Sequence, residues 1–146
     1  MTDTTVKLQV LPNGKHLELP SYQTSGAAGA DIRSADALMV GNNETVMVST
    51  GLAMEIPEGF EIQVRSRSGM ASKGIFVTNS PGTIDSDYRG EVKILLTNLS
   101  GQPYFVNRND RIAQLLLQPV YRATFTVVDG LSPTGRGSGG YGSTGV

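Results

Sequence analysis

The stretch that decides the fold of this chain runs from Asn79 to Lys93 and reads Asn-Ser-Pro-Gly-Thr-Ile-Asp-Ser-Asp-Tyr-Arg-Gly-Glu-Val-Lys. Its first part predicts a turn, because proline fixes one backbone angle and the following glycine leaves the next one free. Its last part alternates polar and apolar residues, which predicts a β-strand with one buried face. Asp85, Asp87 and Tyr88 lie between the two parts. Such a loop can hold a carboxylate and an aromatic ring above a sheet, although a plain polar hairpin would contain the same residues.

Short strand patterns continue on both sides of this stretch, and only the segment from Arg65 to Lys73 suggests a turn of helix. Many short strands with almost no helical periodicity predict an all-β fold, a sandwich or distorted jelly roll. Gly51 interrupts one long alternating pattern and predicts a bulge there. The other predicted strands are 6–11, 31–35, 44–56, 60–65, 75–78, 104–106, 112–120 and 123–128.

The last twelve residues have a different composition from the rest of the chain. They hold six of its 18 glycines, together with Arg136 and Tyr141. A Gly/Ser tail without function is one interpretation; a segment that closes over a ligand and expels water is the other, and it explains the embedded arginine and tyrosine. We therefore predict one β domain over residues 1–134 and a flexible C-terminal arm over residues 135–146.

The composition excludes several classes of function. A net charge of −1 gives no electrostatic basis for binding nucleic acid or an anionic membrane. The chain has no cysteine and a single histidine, His16, so it cannot form a disulfide, a thiolate site or, alone, a histidine-based metal cluster. Neither a signal peptide nor a membrane-spanning run is visible, and we expect a cytoplasmic location.

Two segments carry groups that suit a polyanion such as a nucleoside triphosphate. Arg65-Ser-Arg-Ser-Gly offers guanidinium groups, hydroxyls and an accessible backbone amide, although a solvated loop would look the same. The C-terminal arm offers a similar set. With no cysteine or usable histidine, water activated by Asp85 or Asp87 is the simplest mechanism. The phosphates would need a divalent cation, and we expect Mg²⁺ held mainly by phosphate oxygens.

Five motifs, in this order and over essentially the whole chain, resemble those of the trimeric deoxyuridine triphosphatase (dUTPase) family. Together they are far more specific than any one alone. The motifs are Ala28-Gly-Ala-Asp-Ile-Arg, Ser66-Arg-Ser-Gly-Met-Ala, Asn79-Ser-Pro-Gly-Thr-Ile-Asp-Ser-Asp-Tyr-Arg-Gly, Asp110-Arg-Ile-Ala-Gln-Leu and Arg136-Gly-Ser-Gly-Gly-Tyr-Gly-Ser-Thr-Gly.

The resemblance implies an enzyme that hydrolyses dUTP to dUMP and pyrophosphate, which keeps uracil out of DNA and supplies dUMP for dTMP synthesis. Asp85 would activate the water that attacks the α-phosphorus. Tyr88 would lie under the deoxyribose and leave no space for a 2′-hydroxyl, and Lys93 is a weaker candidate for contacting the nucleoside. The residues implied to form the uracil pocket are Asn79, Thr83 and Ile84.

The resemblance also implies a homotrimer whose sites combine residues of different subunits. Asp31 would act through Mg²⁺-bound water, or else be a structural carboxylate paired with Arg67 or Arg111. Ser66 stands where the family usually has proline, which predicts a less rigid loop. The residues implied to bind the phosphates are Arg67, Ser68, Gly69 and Gln114. The arm residues implied to bind the nucleotide are Arg136, Tyr141, Gly142, Ser143 and Thr144.

Two alternatives remain open: an enzyme of similar fold that catalyses a different reaction, and a protein that binds dUTP without catalysis. The related dCTP deaminases share a similar fold, but they need a glutamate near the third motif, where this chain has Asp85 and Tyr88. A silent dUTP-binding or signalling module would normally show a changed Asp85 or a missing arm, and both are present.

Overall fold

The computed structural model describes residues 3–145, and strands form most of its regular structure. Among residues 3–145 the one α-helix, α1, is a single turn, and a 3₁₀ turn spans Pro12–Gly14. Within the described residues, no helix is long and apolar enough to cross a membrane. The strands are β1 (Lys7–Val10), β2 (Ala30–Arg33), β3 (Leu38–Val40), β4 (Thr45–Glu55), β5 (Phe60–Arg65), β6 (Ile75–Val77), β7 (Gly82–Ile84), β8 (Glu91–Asn98), β9 (Tyr104–Val106) and β10 (Arg111–Pro119), and α1 is Ser68–Ala71.

These strands form two four-stranded sheets and one two-stranded ribbon. The first sheet has the order β1-β4-β8-β6, the second has the order β2-β10-β5-β7, and β3 pairs with β9. Every pairing between named strands is antiparallel. One buried cluster takes residues from all three sheets, among them Ile94, Ile112 and Val40. The prediction of an all-β sandwich of the jelly-roll type is therefore confirmed.

Period-two alternation identified most of the strands because each sheet has one face on the core; β3 and β7 were not among the predicted strands. In β8, Val92, Ile94 and Leu96 are buried, while Lys93 points to the exposed face. In β5, Ile62 and Val64 are buried and their neighbours are not. Side chains alternate between the two faces of a strand, so a one-residue slip would turn the apolar set to solvent.

The predicted bulge lies in β4, where Gly51 touches the 3₁₀ turn. Between Ser49 and Ala53 the pairing of β4 with β8 changes register, so that three residues of β4 face one of β8. Gly51 has φ +68°, and its carbonyl accepts a hydrogen bond from the Leu11 amide at 2.8 Å. A Cβ built on Gly14 would fall on the Gly51 carbonyl group. The turn and the bulge can therefore meet only because both residues are glycine.

Gly51→Ala should lower the free energy of unfolding by about 2–4 kcal/mol, the sum of left-handed strain and a backbone clash with Gly14. Gly59→Ala is a matched control, because Gly59 has φ +86° and open space around its Cβ position. The control should lose about 1–2 kcal/mol from strain alone. Urea denaturation of both variants at one protein concentration measures the difference; equal losses would contradict the contact between the two glycines.

The prediction that residues 123–128 close the ordered body as a strand is wrong. This segment has no regular secondary structure, and Phe125 and Val127 expose 95% and 98% of their surface. The last backbone hydrogen bond to the body is donated by the Val120 amide to the Gly59 carbonyl at 2.9 Å. The residues alternate as those of a strand do, but they have no partner strand within the described chain.

Candidate active site

One wall of the candidate site is the hairpin of β7 and the loop before it. β7 pairs with β5, placing Ile84 opposite Ile62 and Gly82 opposite Val64. A Cβ on Gly82 would lie 3.0 Å from the side-chain Nδ2 of Asn79, so the Asn79 side chain packs directly on this glycine. Thr83 is exposed, whereas the Ile84 side chain is buried in the core. A ligand at this hairpin can therefore meet Asn79, Thr83 and the backbone of Ile84.

Asp85 and Tyr88 lie in the turn that follows β7. The Tyr88 amide donates a hydrogen bond to the Asp85 carbonyl at 3.1 Å, which closes the turn. The Asp85 carboxylate is exposed, and it makes neither a hydrogen bond nor an ion pair with any residue from 3 to 145. The Tyr88 ring lies over Gly90, where a Cβ would clash with the hydroxyl. The turn thus presents a free carboxylate beside an aromatic ring of fixed position.

A second group of candidate residues surrounds Asp31, which is only 3% exposed. Its Oδ1 lies 3.5 Å from Arg67 Nε and accepts a hydrogen bond from Gln114 Nε2 at 3.4 Å. Its Oδ2 accepts a hydrogen bond from Arg111 Nη1 at 3.1 Å. Removing one partner of such a buried set would leave an uncompensated charge. Asp31 therefore orients two guanidinium groups, which is the structural pairing considered from the sequence.

The loop before α1 positions the remaining phosphate candidates. Arg67 precedes the helix, and Ser68 and Gly69 form its first turn. Arg67 Nη1 also donates a hydrogen bond to the Arg111 carbonyl at 3.1 Å. Ser66, expected to loosen this loop, instead accepts a hydrogen bond from the Val77 amide at 2.9 Å. The serine side chain thus ties the loop to β6, and a less rigid loop stays a prediction.

Tyr104 packs against the core beside this second group. Burial raises the pKa of its phenol, the charge of Asp110 raises it further, and the positive charge of Arg67 opposes both effects. The ring is therefore neutral at neutral pH and adds no negative charge near Arg67.

Asp85 and the Arg67 group lie at opposite ends of β5. Asp85 follows Ile84, which faces Ile62, whereas Arg67 comes five residues after Ile62. At about 3.3 Å per residue, the two positions are separated by on the order of 15 Å along the strand. Gln114 lies opposite Arg65, at the Arg67 end. Within residues 3–145, the chain therefore does not bring the Asp85 carboxylate and the phosphate candidates around Arg67 together.

Two further sets of candidates lie away from both groups. Lys93 is exposed on β8 opposite Ser49, in the other sheet from β7. In the arm, Arg136 Nε donates a hydrogen bond to the Gly139 carbonyl at 2.7 Å, and the Tyr141 ring is fully exposed. All hydrogen bonds that residues 121–145 make within the described chain stay between residues 134 and 145. The arm candidates thus make no hydrogen bond to any residue of the described chain before Thr134.

The sequence analysis missed two residues, Glu91 and Asn13, at the start of β8, where the Glu91 carbonyl accepts a hydrogen bond from the Tyr88 hydroxyl at 2.9 Å. Glu91 accepts hydrogen bonds from the Asn13 side chain and from the Gly51 amide. The only signal for Glu91 was a carboxylate at the first position of a strand, and nothing in the sequence linked Asn13 to it.

Comparison with known proteins identifies one family. The family model described as dUTPase matches residues 15–145. A deoxyuridine 5′-triphosphate nucleotidohydrolase of Rhizobium etli is 52% identical over 99% of this chain and 96% of its own length. A mutant dUTPase of Staphylococcus bacteriophage 80alpha, solved with dUpNHpp, is 26% identical with a TM-score of 0.87, covering 99% of this chain and 100% of that chain. A mutant dUTPase from phage phi11 of S. aureus, whose structure reveals the coordination of a structural Mg(II) ion, is 25% identical with a TM-score of 0.77, covering 87% of this chain and 98% of that chain.

Proposed function

Because this chain belongs to the dUTPase family and hydrolyses dUTP to dUMP and pyrophosphate, we propose that Asp85 is the general base of that reaction. The observation that carries the proposal is the free, exposed Asp85 carboxylate in the turn after β7. A carboxylate without other partners can accept the proton of a water molecule as that water attacks the α-phosphorus. A positioned base of this kind contributes about 10²–10⁴-fold to a rate.

We propose that the hairpin and the turn after it bind the uracil ring and the deoxyribose and discriminate against other bases and against ribose. Asn79, Thr83 and the backbone of Ile84 supply donors and acceptors matched to the uracil edge, and a cytosine would leave buried groups unpaired. In this proposal the hairpin also excludes the extra methyl of thymine. The Tyr88 ring lies under deoxyribose and excludes a 2′-hydroxyl. Lys93, on the other sheet, remains the weakest candidate of this set.

The phosphates would be bound by Arg67, Ser68, Gly69 and Gln114, and covered by the arm. Asp31 holds the Arg67 guanidinium in place, which favours charge-assisted hydrogen bonds of fixed direction. Two positive side chains near Asp31, those of Arg67 and Arg111, suit a polyanion. The arm would then bring Arg136, Tyr141, Gly142, Ser143 and Thr144 over the bound nucleotide and exclude water.

We propose that the enzyme is a homotrimer with sites shared between subunits. The separation of Asp85 from Arg67 along β5 supports this, because one chain alone leaves the attacking group far from the phosphate group. The exposed apolar residues of segment 121–131 also support it, since such a surface marks a contact with another chain. An open groove of about 240 Å³, lined by Val6, Leu8 and Leu117 among others, offers an apolar surface of the matching kind.

We propose Mg²⁺ as the cofactor, held mainly by the phosphates. Among residues 3–145, no group of three or more His, Cys, Asp or Glu side chains could hold a metal ion. Both oxygens of Asp31 already face guanidinium or amide groups, so this residue fits Mg²⁺ only through a bound water. Mg²⁺ keeps several waters and favours phosphate oxygens, which suits this donor set. When bound, the ion neutralises phosphate charge.

A cytoplasmic location stays a prediction from the sequence.

A product assay with Mg²⁺ and, separately, dUTP, dCTP, dTTP and UTP tests the activity and its selectivity. We expect dUMP and pyrophosphate from dUTP, and little turnover of the other three nucleotides. Ammonia from dCTP would mean a deaminase, and binding of dUTP without turnover would mean a silent module. The family and the names of its relatives favour neither alternative.

A further inference from the structure

Tyr88 is fixed at its hydroxyl end by the start of β8. Its hydroxyl donates a hydrogen bond to the Glu91 carbonyl at 2.9 Å. The missing side chain of Gly90 leaves the space in which the ring lies. The position of the ring therefore depends on how firmly the backbone of residue 91 is held.

The Glu91 side chain holds that backbone to two other parts of the chain. Its Oε1 accepts a hydrogen bond from the Asn13 amide at 2.7 Å and another from the Gly51 backbone amide at 2.9 Å. Asn13 lies in the 3₁₀ turn and is 78 residues away in sequence. Gly51 lies in the β4 bulge, with its left-handed φ. Hydrogen bonds to a charged group are among the stronger ones in proteins.

This arrangement is more specific than strand pairing requires. Glu91 already pairs with Ala53 in the β4–β8 ladder, so its side chain is not needed to form the sheet. The bulge turns the Gly51 amide towards Glu91, and the contact between Gly14 and Gly51 brings the 3₁₀ turn within reach. All of these contacts converge on the residue whose carbonyl receives the Tyr88 hydroxyl.

We propose that Glu91, held by Asn13 and Gly51, is a positioning residue that sets the Tyr88 ring and so contributes to the discrimination between deoxyribose and ribose. This inference rests on the proposed role of Tyr88 under the sugar. Glu91 does not touch the substrate in this proposal. It acts by keeping the hydroxyl acceptor of Tyr88 at a fixed place, and a ring free to shift leaves room for a 2′-hydroxyl.

Kinetics with two substrates test the specificity. Glu91→Ala removes both hydrogen bonds of Oε1. It should lower the ratio of kcat/KM for dUTP to kcat/KM for UTP by about tenfold, because part of their free energy serves to position the ring. Glu91→Gln keeps an acceptor oxygen and should restore most of the ratio. Glu58→Ala is the matched control, since it removes the charge of an exposed glutamate in the turn before β5. It should leave the ratio unchanged.

A double-mutant cycle tests whether Glu91 works through the tyrosine hydroxyl. Tyr88→Phe removes the hydroxyl and should lower the same ratio. Combined with Glu91→Ala, it should lower the ratio no further than the more severe single variant, because both substitutions break one chain of contacts. If the double variant lowered the ratio by the product of the two single-variant factors, the proposal would be overturned.

Fluorine NMR of protein labelled with 3-fluorotyrosine reports on the ring without depending on activity. The Tyr88 resonance is assigned by its absence from Tyr88→Phe. We expect Glu91→Ala to shift this resonance and Glu58→Ala to leave it in place. An unmoved resonance, or a moved resonance with an unchanged substrate ratio, would overturn the proposal. A wild-type protein that failed to hydrolyse dUTP would overturn the proposed function instead, and the spectra would still decide the link between Glu91 and Tyr88.

Discussion

Asp85→Asn is expected to lower kcat at least about a hundredfold while nucleotide affinity stays close to that of the wild type. Asparagine has the same shape as aspartate but cannot accept the proton of the attacking water. The Asp85 carboxylate makes no hydrogen bond or ion pair with the rest of the described chain, so its replacement should not disturb the turn. Steady-state kinetics and calorimetric binding of a non-hydrolysable dUTP analogue measure the two quantities.

Asp87→Asn is the control for this prediction. Asp87 is a second exposed carboxylate in the same turn, and from the sequence alone either residue could be the base. We expect its kcat to remain near the wild-type value. Unchanged turnover in Asp85→Asn would remove Asp85 as the base, and a selective loss in Asp87→Asn would give that role to Asp87.

Deletion of residues 135–146 is expected to reduce kcat/KM by on the order of a hundredfold without unfolding the protein. The deletion removes a guanidinium group, two hydroxyls and an aromatic ring from the proposed cover of the nucleotide. The described arm residues make no hydrogen bond to any residue before Thr134, so the core should keep its stability. Kinetics together with thermal unfolding and sedimentation of the truncated protein check these expectations. A truncated protein that unfolds or dissociates would make the arm structural.

Mixing two inactive variants tests whether the sites are shared. One chain lacks residues 135–146 but keeps Asp85, and the other carries Asp85→Asn but keeps the arm. If the arm acts on a neighbouring subunit, refolding the two chains together should recover part of the activity, because some sites receive an intact Asp85 and an intact arm. A mixture as inactive as its components would mean that each arm serves its own chain.

Arg136→Ala distinguishes the contribution of the arginine charge to kcat/KM from the contribution of the rest of the arm. It should lower kcat/KM, but by less than the full deletion does, because the hydroxyls and Tyr141 remain. Equal effects of the two changes would assign the whole contribution of the arm to the arginine.

Local sequence pattern predicted most of the strands whose partners lie in the same chain, but it missed β3 and placed β7 in a turn. Phe60–Arg65 and Glu91–Asn98 alternate apolar and polar residues, and the apolar residues are buried on the core face. The same reasoning failed for residues 123–128, which alternate but are exposed. Alternation indicates that a segment has one apolar face. That face is buried only where another surface covers it, and no part of the described chain covers residues 123–128.

The motifs likewise identified the family and the candidate residues, but not their spatial relation. The sequence alone determined the all-β class, the hairpin around Asp85 and the loop around Arg67, since turn chemistry and period-two patterns are local. Only the tertiary structure decided that β5 separates Asp85 from Arg67, that Asp31 holds two arginines, and that Glu91 reaches both Asn13 and Gly51. Those relations depend on register and on a contact between two glycine backbones, and such long-range contacts form only when distant segments pack together.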